Sequence, residues 1–317
     1  MIGVDYRSLT SEPLLFRSYK MSRTKIIALT AIAPIIWGST YIVTTEALPA
    51  ESPLMASTIR ALPAGLLLVL LSRAKLAQSW WFKMTALGFL NIGLFFYCLF
   101  FAATYLPGGM AALVGSLQPI FVMLLSWFLL RNHLSFTQLI ASCLGMLGIG
   151  LLLSHNTIAL DPLGVLIGAI GTLSMSIGVV LTKKWGRPHG MTMLGFTGWQ
   201  LFVGGMFLLP VTLLIEGVPS ELSMTNIAGY GYLSIMGAMV CYYLWFQGIE
   251  KLPPVIVSFL GFLSSVSACI LGYWFLDQTL NSIQLFGALT IMFAIVLAAY
   301  QPKEQNTFFK LPILTRG

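Results

Sequence analysis

A long stretch of this chain is written twice. Leu106-Pro107 lies over Leu252-Pro253 at an offset of 146, and the register then holds without a gap. Gly115 falls on Gly261, Leu117 on Leu263, Phe128 on Trp274, Leu134 on Leu280 and Gln138-Leu139 on Gln284-Leu285. Read backwards, Phe100 falls on Phe246 and Tyr97 on Tyr243. Each copy is a set of apolar runs with hardly a charge, so neither is a soluble unit. Charged residues make up 9% of the chain, against about 25% in soluble domains. The net charge of +7 does not point to nucleic acid, because the bases sit in short gaps between apolar runs.

Ten runs have the length of a membrane span, about 20 residues. They cover roughly 25–45, 53–71, 82–105, 108–130 and 136–153, then 162–181, 193–214, 226–249, 254–276 and 283–300. The gaps at 131–135 and 277–282 are short enough to force tight helical hairpins. The expected fold is an all-α integral membrane protein of ten transmembrane helices, arranged as two inverted five-helix repeats. Residues 1–24 and 301–317 are tails, 25–153 and 162–300 the repeats, and 154–161 a linker. Met21 offers a start just before the first span, which would leave 1–20 as an extension. No apolar core follows the first basic residues before Ile26, unlike a signal peptide.

Ten spans sort the charges. One face receives every Lys and Arg except Arg60; the other receives Glu46, Glu51, Asp161, Glu216, Glu221 and Asp277, and no base. By the positive-inside rule the basic face, which carries both termini, is cytoplasmic. An odd number of spans per repeat makes the two copies enter the membrane in opposite directions. The halves are then related by a pseudo-two-fold axis in the membrane plane, and a binding site is expected at the midplane between them.

Polar residues inside the spans are the candidates for that site. Arg60 is costly in lipid, about 2.5–3.5 kcal/mol at a helix centre; it either attracts a substrate carboxylate or is tied to carbonyls near the outer half. Trp37 and Tyr41, with Ser39-Thr40 between them, and Trp199-Gln200 read as cavity wall or helix packing. Asn91 and Tyr97 lie roughly on one face of the third span; Tyr243 and Gln247 share a face of the eighth. Gln118-Pro119 interrupts the fourth span, because Pro119 frees a carbonyl near Gly115. Ser264-Ser265 can disturb the matching place in the ninth. Paired interruptions of this kind mark transport paths.

No catalytic group, metal site or cofactor is indicated. His133, His155 and His189 lack zinc spacing, and Cys98, Cys143, Cys241 and Cys269 sit in apolar runs at unrelated spacings. No phosphate-binding glycine loop is present, so ATP is not the energy source. The shortage of carboxylates within spans leaves only Glu46 and Glu250, near span ends, for proton coupling.

The order of several short motifs resembles the EamA-type transporters of the drug/metabolite transporter superfamily. They are Trp37-Gly38-Ser39-Thr40, Arg60, Tyr97 with Ala102-Ala103 and Leu106-Pro107, and Ser116-Leu117-Gln118-Pro119. A Leu-x-x-x-Leu-x-x-x-Gln pattern at 130–138 recurs at 276–284. The resemblance covers residues 25–300. It implies a ten-helix secondary carrier of a small metabolite (an amino acid, aromatic compound or drug-like molecule), commonly an exporter of bacterial inner membranes. One departure stands out: relatives carry a Glu in each hairpin, where this chain has Asn132 and Gln278. A channel-like pore and an intramembrane lipid-modifying protein are the competing readings. The expected partners are the substrate and the lipid bilayer, with no nucleic acid; oligomeric state is not legible, and a monomer is consistent with everything above.

Overall fold

A computed structural model describes residues 21–49, 52–105, 108–153, 161–219, 221–275 and 281–300. Residues 1–20 and 301–317 of the tails, and 276–280 of the second hairpin with Gln278, lie outside the described residues. Among those residues, nine helical stretches are long and apolar enough to cross a membrane, and a tenth, Phe136–Leu152, has 17 residues. The protein is an all-helical, ten-span, two-repeat membrane protein. We number the spans α1 to α10 and give a broken span two halves.

The first repeat runs α1a (Arg23–Gly38), α1b (Thr40–Ala47), α2 (Pro53–Ser72), α3 (Trp81–Tyr105), α4a (Gly108–Gly115), α4b (Gln118–Leu130) and α5 (Phe136–Leu152). The second runs α6 (Pro162–Trp185), α7 (Met193–Ile215), α8 (Met224–Lys251), α9a (Pro254–Leu260), α9b (Leu263–Phe275) and α10 (Ser282–Ala299). The first hairpin is as tight as expected: Arg131 turns the chain at φ 56, and α5 begins five residues later. The sequence reading ends the sixth span at residue 181, but α6 continues to Trp185. Lys183 and Lys184 belong to its last turn, where cations meet the negative end of the helix dipole.

Packing follows the inverted repeat. α1 packs on α8 and α9b, while its counterpart α6 packs on α3 and α4b; α2 pairs with α7, and α5 with α10. Named contacts fix the register of α2 on α7, of α1 on α8 and of α6 on α3. Gly65 of α2 presses on the backbone of Phe202, and Gly205 of α7 presses on the backbone of Leu62. That exchange is self-consistent at an offset of 140. Thr30 packs on Gly248, and Gly168 packs on Ala102, which sets 138 between α1 and α6 alongside 146 between α3 and α8. The offsets differ because the loops differ in length.

Two kinds of irregularity recur in both halves. α3 contains a π-helical segment at Phe89–Gly93, and α8 one at Leu233–Val240. α4 breaks at Ser116-Leu117 and α9 at Gly261-Phe262. The α4 break lies just ahead of the expected Gln118-Pro119, because Pro119 sits in the first turn of α4b, where its missing N–H is not needed. The α9 break falls before Ser264-Ser265, with the Ser264 hydroxyl donating to the Gly261 carbonyl at 2.8 Å.

Helices in lipid gain little from the hydrophobic effect, so close backbone approach has to supply the attraction. The α2–α7 pair shows this most directly: a Cβ at Gly65 would overlap the Phe202 nitrogen. Gly65→Val is expected to cost about 1–3 kcal/mol by overpacking. It should lower the melting temperature in detergent, whereas Gly150→Ala, with open space around it, should not.

Candidate substrate cavity

Between the halves lies a cavity of about 380 Å³. Its lining includes Gln118, Tyr242, Trp245 and Phe262, all away from the ends of their spans. From there the lining runs to Thr44, Pro53 and Ala112, near the acidic-face ends of α1, α2 and α4. Towards the basic face the path is filled by aromatic rings. Phe246 lies 5.6 Å from Tyr242 and 6.0 Å from Phe196 in ring-centroid distance, and all three are fully buried.

Arg60 forms one wall. It is the eighth residue of α2, about 10 Å along the axis from the acidic end, yet only 5% exposed. It therefore does not reach out to the membrane surface but turns inward. Its Nη2 donates to the Gly237 carbonyl at 2.9 Å, and its guanidinium lies 5.1 Å over the Phe96 ring. A charge-assisted hydrogen bond is worth about 1.5–3 kcal/mol and a cation–π contact about 0.5–2. Together they offset the cost of placing an arginine at this depth.

Trp37 shares the same acceptor, its Nε1 donating to Gly237 O at 2.9 Å, and its ring meets Tyr242 and Trp245, each at 5.1 Å. Gly237 belongs to the π segment of α8. A Cβ there would stand 3.5 Å from Arg60 Nε, ordinary van der Waals contact, so the carbonyl and not the missing side chain is what holds the guanidinium.

The described lining holds one cation, Arg60, and no carboxylate. Two lining residues also carry buried N–H groups without a partner, Gln118 Nε2 and Trp245 Nε1. Buried donors are ordinarily satisfied, so this wall is poised to receive acceptor atoms. The remaining surface is largely aromatic and aliphatic, with Phe95, Leu99 and Phe100 from α3.

The structure brings Trp37, Arg60, Gln118, Ser264 and Ser265 of the expected set to this cavity. The others stand elsewhere. Asn91 is buried away from it, its Nδ2 donating to Gln200 Oε1 at 2.8 Å and Thr182 Oγ1 at 3.1 Å. Tyr97 stacks on Phe101 at 5.7 Å. Trp199 donates to the Ala74 carbonyl at 3.0 Å and meets Trp81 edge-on, tying α7 to the end of α2. Pro119 is buried in α4b. Tyr243 and Gln247 are half-buried on α8 outside the lining, and the side chain of Tyr41 lies outside the described residues. The α8 residues that do face the cavity are Tyr242 and Trp245. The repeat offset carries the signal for them, since they fall on Phe96 and Leu99, which also line it.

Glu46 is exposed at the acidic end of α1b. Glu250 pairs with Arg187 at 3.2 Å near the basic face. Neither carboxylate lines the cavity.

The profile of the EamA-like transporter family matches residues 24–154 and 162–300. Protein PecM of Dickeya dadantii is 51% identical over 265 residues, covering 84% of this chain and 89% of that protein. The uncharacterized inner membrane transporter YedA of Escherichia coli is 28% identical over 274 residues, covering 83% and 87%. A solved structure described as "Crystal structure of protein" superposes with a TM-score of 0.75 at 16% identity, over 87% of this chain and 97% of its own. That likeness bears on the fold alone.

The shared acceptor gives a direct test of the wall. Trp37→Phe removes one donor from Gly237 and is expected to cost about 0.5–1.5 kcal/mol. It should lower the thermal midpoint of the purified protein while leaving its helical circular dichroism unchanged.

Proposed function

Because the chain belongs to the EamA-like transporter family, we propose that it is a secondary transporter that moves a small, anionic or acceptor-rich solute with an apolar body. The cavity between the repeats is the binding site, reached alternately from the two faces. The acidic face is periplasmic, the basic face and both termini are cytoplasmic, and the membrane is a bacterial inner membrane, in keeping with the YedA relative and with the segregation of Lys and Arg. Export is the direction that the family resemblance favours.

The observation that carries this reading is the donor set. A buried Arg60, the Gln118 amide and the Trp245 indole all offer hydrogen to a cavity whose described lining has no carboxylate. The aromatic wall suits an apolar body, and the volume of about 380 Å³ suits a compact metabolite. An aromatic amino acid or aromatic carboxylate fits these terms. Trp37, Arg60, Gln118, Trp245 and Ser264 would contact it. The carrier does not need Glu46 or Glu250 at the site, so any proton coupling through them acts from the ends of the spans.

The test is uptake into liposomes of purified protein, with radiolabelled amino acids and aromatic carboxylates. Saturable uptake is expected, with Arg60→Gln raising KM about 10- to 100-fold for a carboxylate substrate, the equivalent of a charge-assisted hydrogen bond. Gln118→Ala should weaken binding less, since its amide is uncharged. Flux that rises linearly with concentration in the wild type would instead mark a pore.

A further inference from the structure

The structure contains a second, smaller pocket, and three of its lining residues are the repeat counterparts of residues at the cavity mouth. Under the offsets fixed by helix packing, Thr44, Pro53 and Phe100 map onto Thr182, Met193 and Phe246. The first three line the large cavity towards the acidic face; the second three line a pocket of about 110 Å³ towards the basic face. The inner contacts map as well. Arg60 falls on Gln200 and Gly237 on Asn91. Both contacts cross between the repeats: Arg60 of α2 donates to Gly237 of α8 at 2.9 Å, and Asn91 of α3 donates to Gln200 of α7 at 2.8 Å. Both contacts use a π segment, Leu233–Val240 in α8 and Phe89–Gly93 in α3.

The Asn91 cluster is also chemically incomplete. Asn91 is 1% exposed, and Gln200 and Thr197 are fully buried, yet Asn91 Oδ1, Gln200 Nε2 and Thr197 Oγ1 have no hydrogen-bond partner. Orphaned polar atoms on two directly contacting residues, Asn91 and Gln200, with a third on Thr197 one turn away on α7, are costly in a membrane interior. Thr182 joins the cluster to the pocket, since its hydroxyl accepts from Asn91 and also lines the pocket wall. Across the pocket rim, Arg187 pairs with Glu250 at 3.2 Å, and Lys183 Nζ donates to the Glu250 carbonyl at 2.7 Å.

Resting on the carrier reading above, we infer that Asn91, Thr182 and Gln200 form a second ligand-contact site, closed here and opened to the basic face when the halves exchange conformations. Gln200 replaces the arginine of the other half, so this site is uncharged. It offers both a donor and an acceptor, and takes the neutral hydrogen-bonding part of the same solute. The Arg187–Glu250 pair closes its mouth. An anionic group therefore meets a fixed cation at the inner wall from the acidic side, whereas from the basic side it passes Lys183 and Arg187 at the rim and then meets only amides and a hydroxyl.

The experiment is thiol accessibility in sealed vesicles of both orientations. The full chain is used with Cys98, Cys143, Cys241 and Cys269 replaced by Ala, and Lys75→Cys and Glu221→Cys report the two faces. A membrane-impermeant methanethiosulfonate is expected to modify Thr44→Cys from the acidic face, and Thr182→Cys and Gln200→Cys from the basic face only. Adding Glu250→Gln should raise modification of Thr182→Cys about two- to fivefold, the scale of an exposed ion pair, and lower that of Thr44→Cys. Either inner cysteine suffices if the other variant does not fold. Modification of Thr44→Cys from the acidic face, with the inner cysteines unreactive from the basic face or insensitive to Glu250→Gln, would overturn the second site and leave the carrier. Reaction of Thr44→Cys from both faces alike would overturn the carrier itself, and the inference with it.

Discussion

The Gly237 carbonyl holds the centre of this protein together. In a regular helix that oxygen would serve only the backbone; here it lies in a π segment and accepts from the Trp37 indole and the Arg60 guanidinium at 2.9 Å each. One atom thus ties α1 and α2 of the first repeat to α8 of the second. It also fixes where the only cation of the described cavity lining stands. Were the arginine to extend to the membrane surface, as its distance of about 10 Å from the helix end allows, the cavity would be neutral. Phe96 under the guanidinium completes the restraint.

Much of the architecture was legible in the sequence because it depends on quantities that sequence carries directly. Span number follows from apolar length, and the inverted relation follows from an odd number of spans per repeat. The break in α4 was legible from Pro119, whose chemistry is local. Which residues face the cavity was less so. Tyr243 and Gln247 share a helix face by simple spacing, yet Tyr242 and Trp245 line the cavity. A π segment inserts an extra residue per turn, which rotates everything after it by roughly a residue's angle. Tyr243 and Gln247 both follow Leu233–Val240, so their shared face is kept, but spacing along one helix carries no signal for which neighbour that face meets. Asn91 failed as a cavity residue for a related reason: it lies inside the α3 π segment and turns to Gln200 and Thr182.

The two halves share a sequence plan but not a conformation. α1 breaks at Ser39, whereas α6 is continuous through Ile177, the position that falls on Ser39 at an offset of 138. The mouth lined by Thr44, Pro53 and Phe100 belongs to a cavity of about 380 Å³, and its counterpart to a pocket of about 110 Å³. Inverted repeats that differ in this way are what a two-state membrane machine requires, since exchanging the two conformations regenerates the same molecule facing the other way. The chemistry is less symmetric than the geometry, because Arg60 has no charged counterpart.

The breaks would let the exchange proposed above take place without stranding backbone groups in a non-aqueous interior. Each is closed by a tightened turn: Ser39 N–H donates to Ile36 O at 3.0 Å, Leu117 to Val114 at 3.2 Å, and Phe262 to Phe259 at 3.1 Å. All three bonds span three residues instead of four, the 3₁₀ pattern that shares a helix's bonds over a bend. The side chains of Ser39 and Ser116 add bonds to Ile36 O and Leu113 O, at 2.7 and 2.6 Å. An unsatisfied amide in hydrocarbon costs several kcal/mol, enough to freeze a hinge in place. A bend whose hydrogen bonds are already made can change its angle by trading one short turn for another. The irregular backbone of α1, α4 and α9 borders the cavity, so small rotations at these three points bear directly on its width.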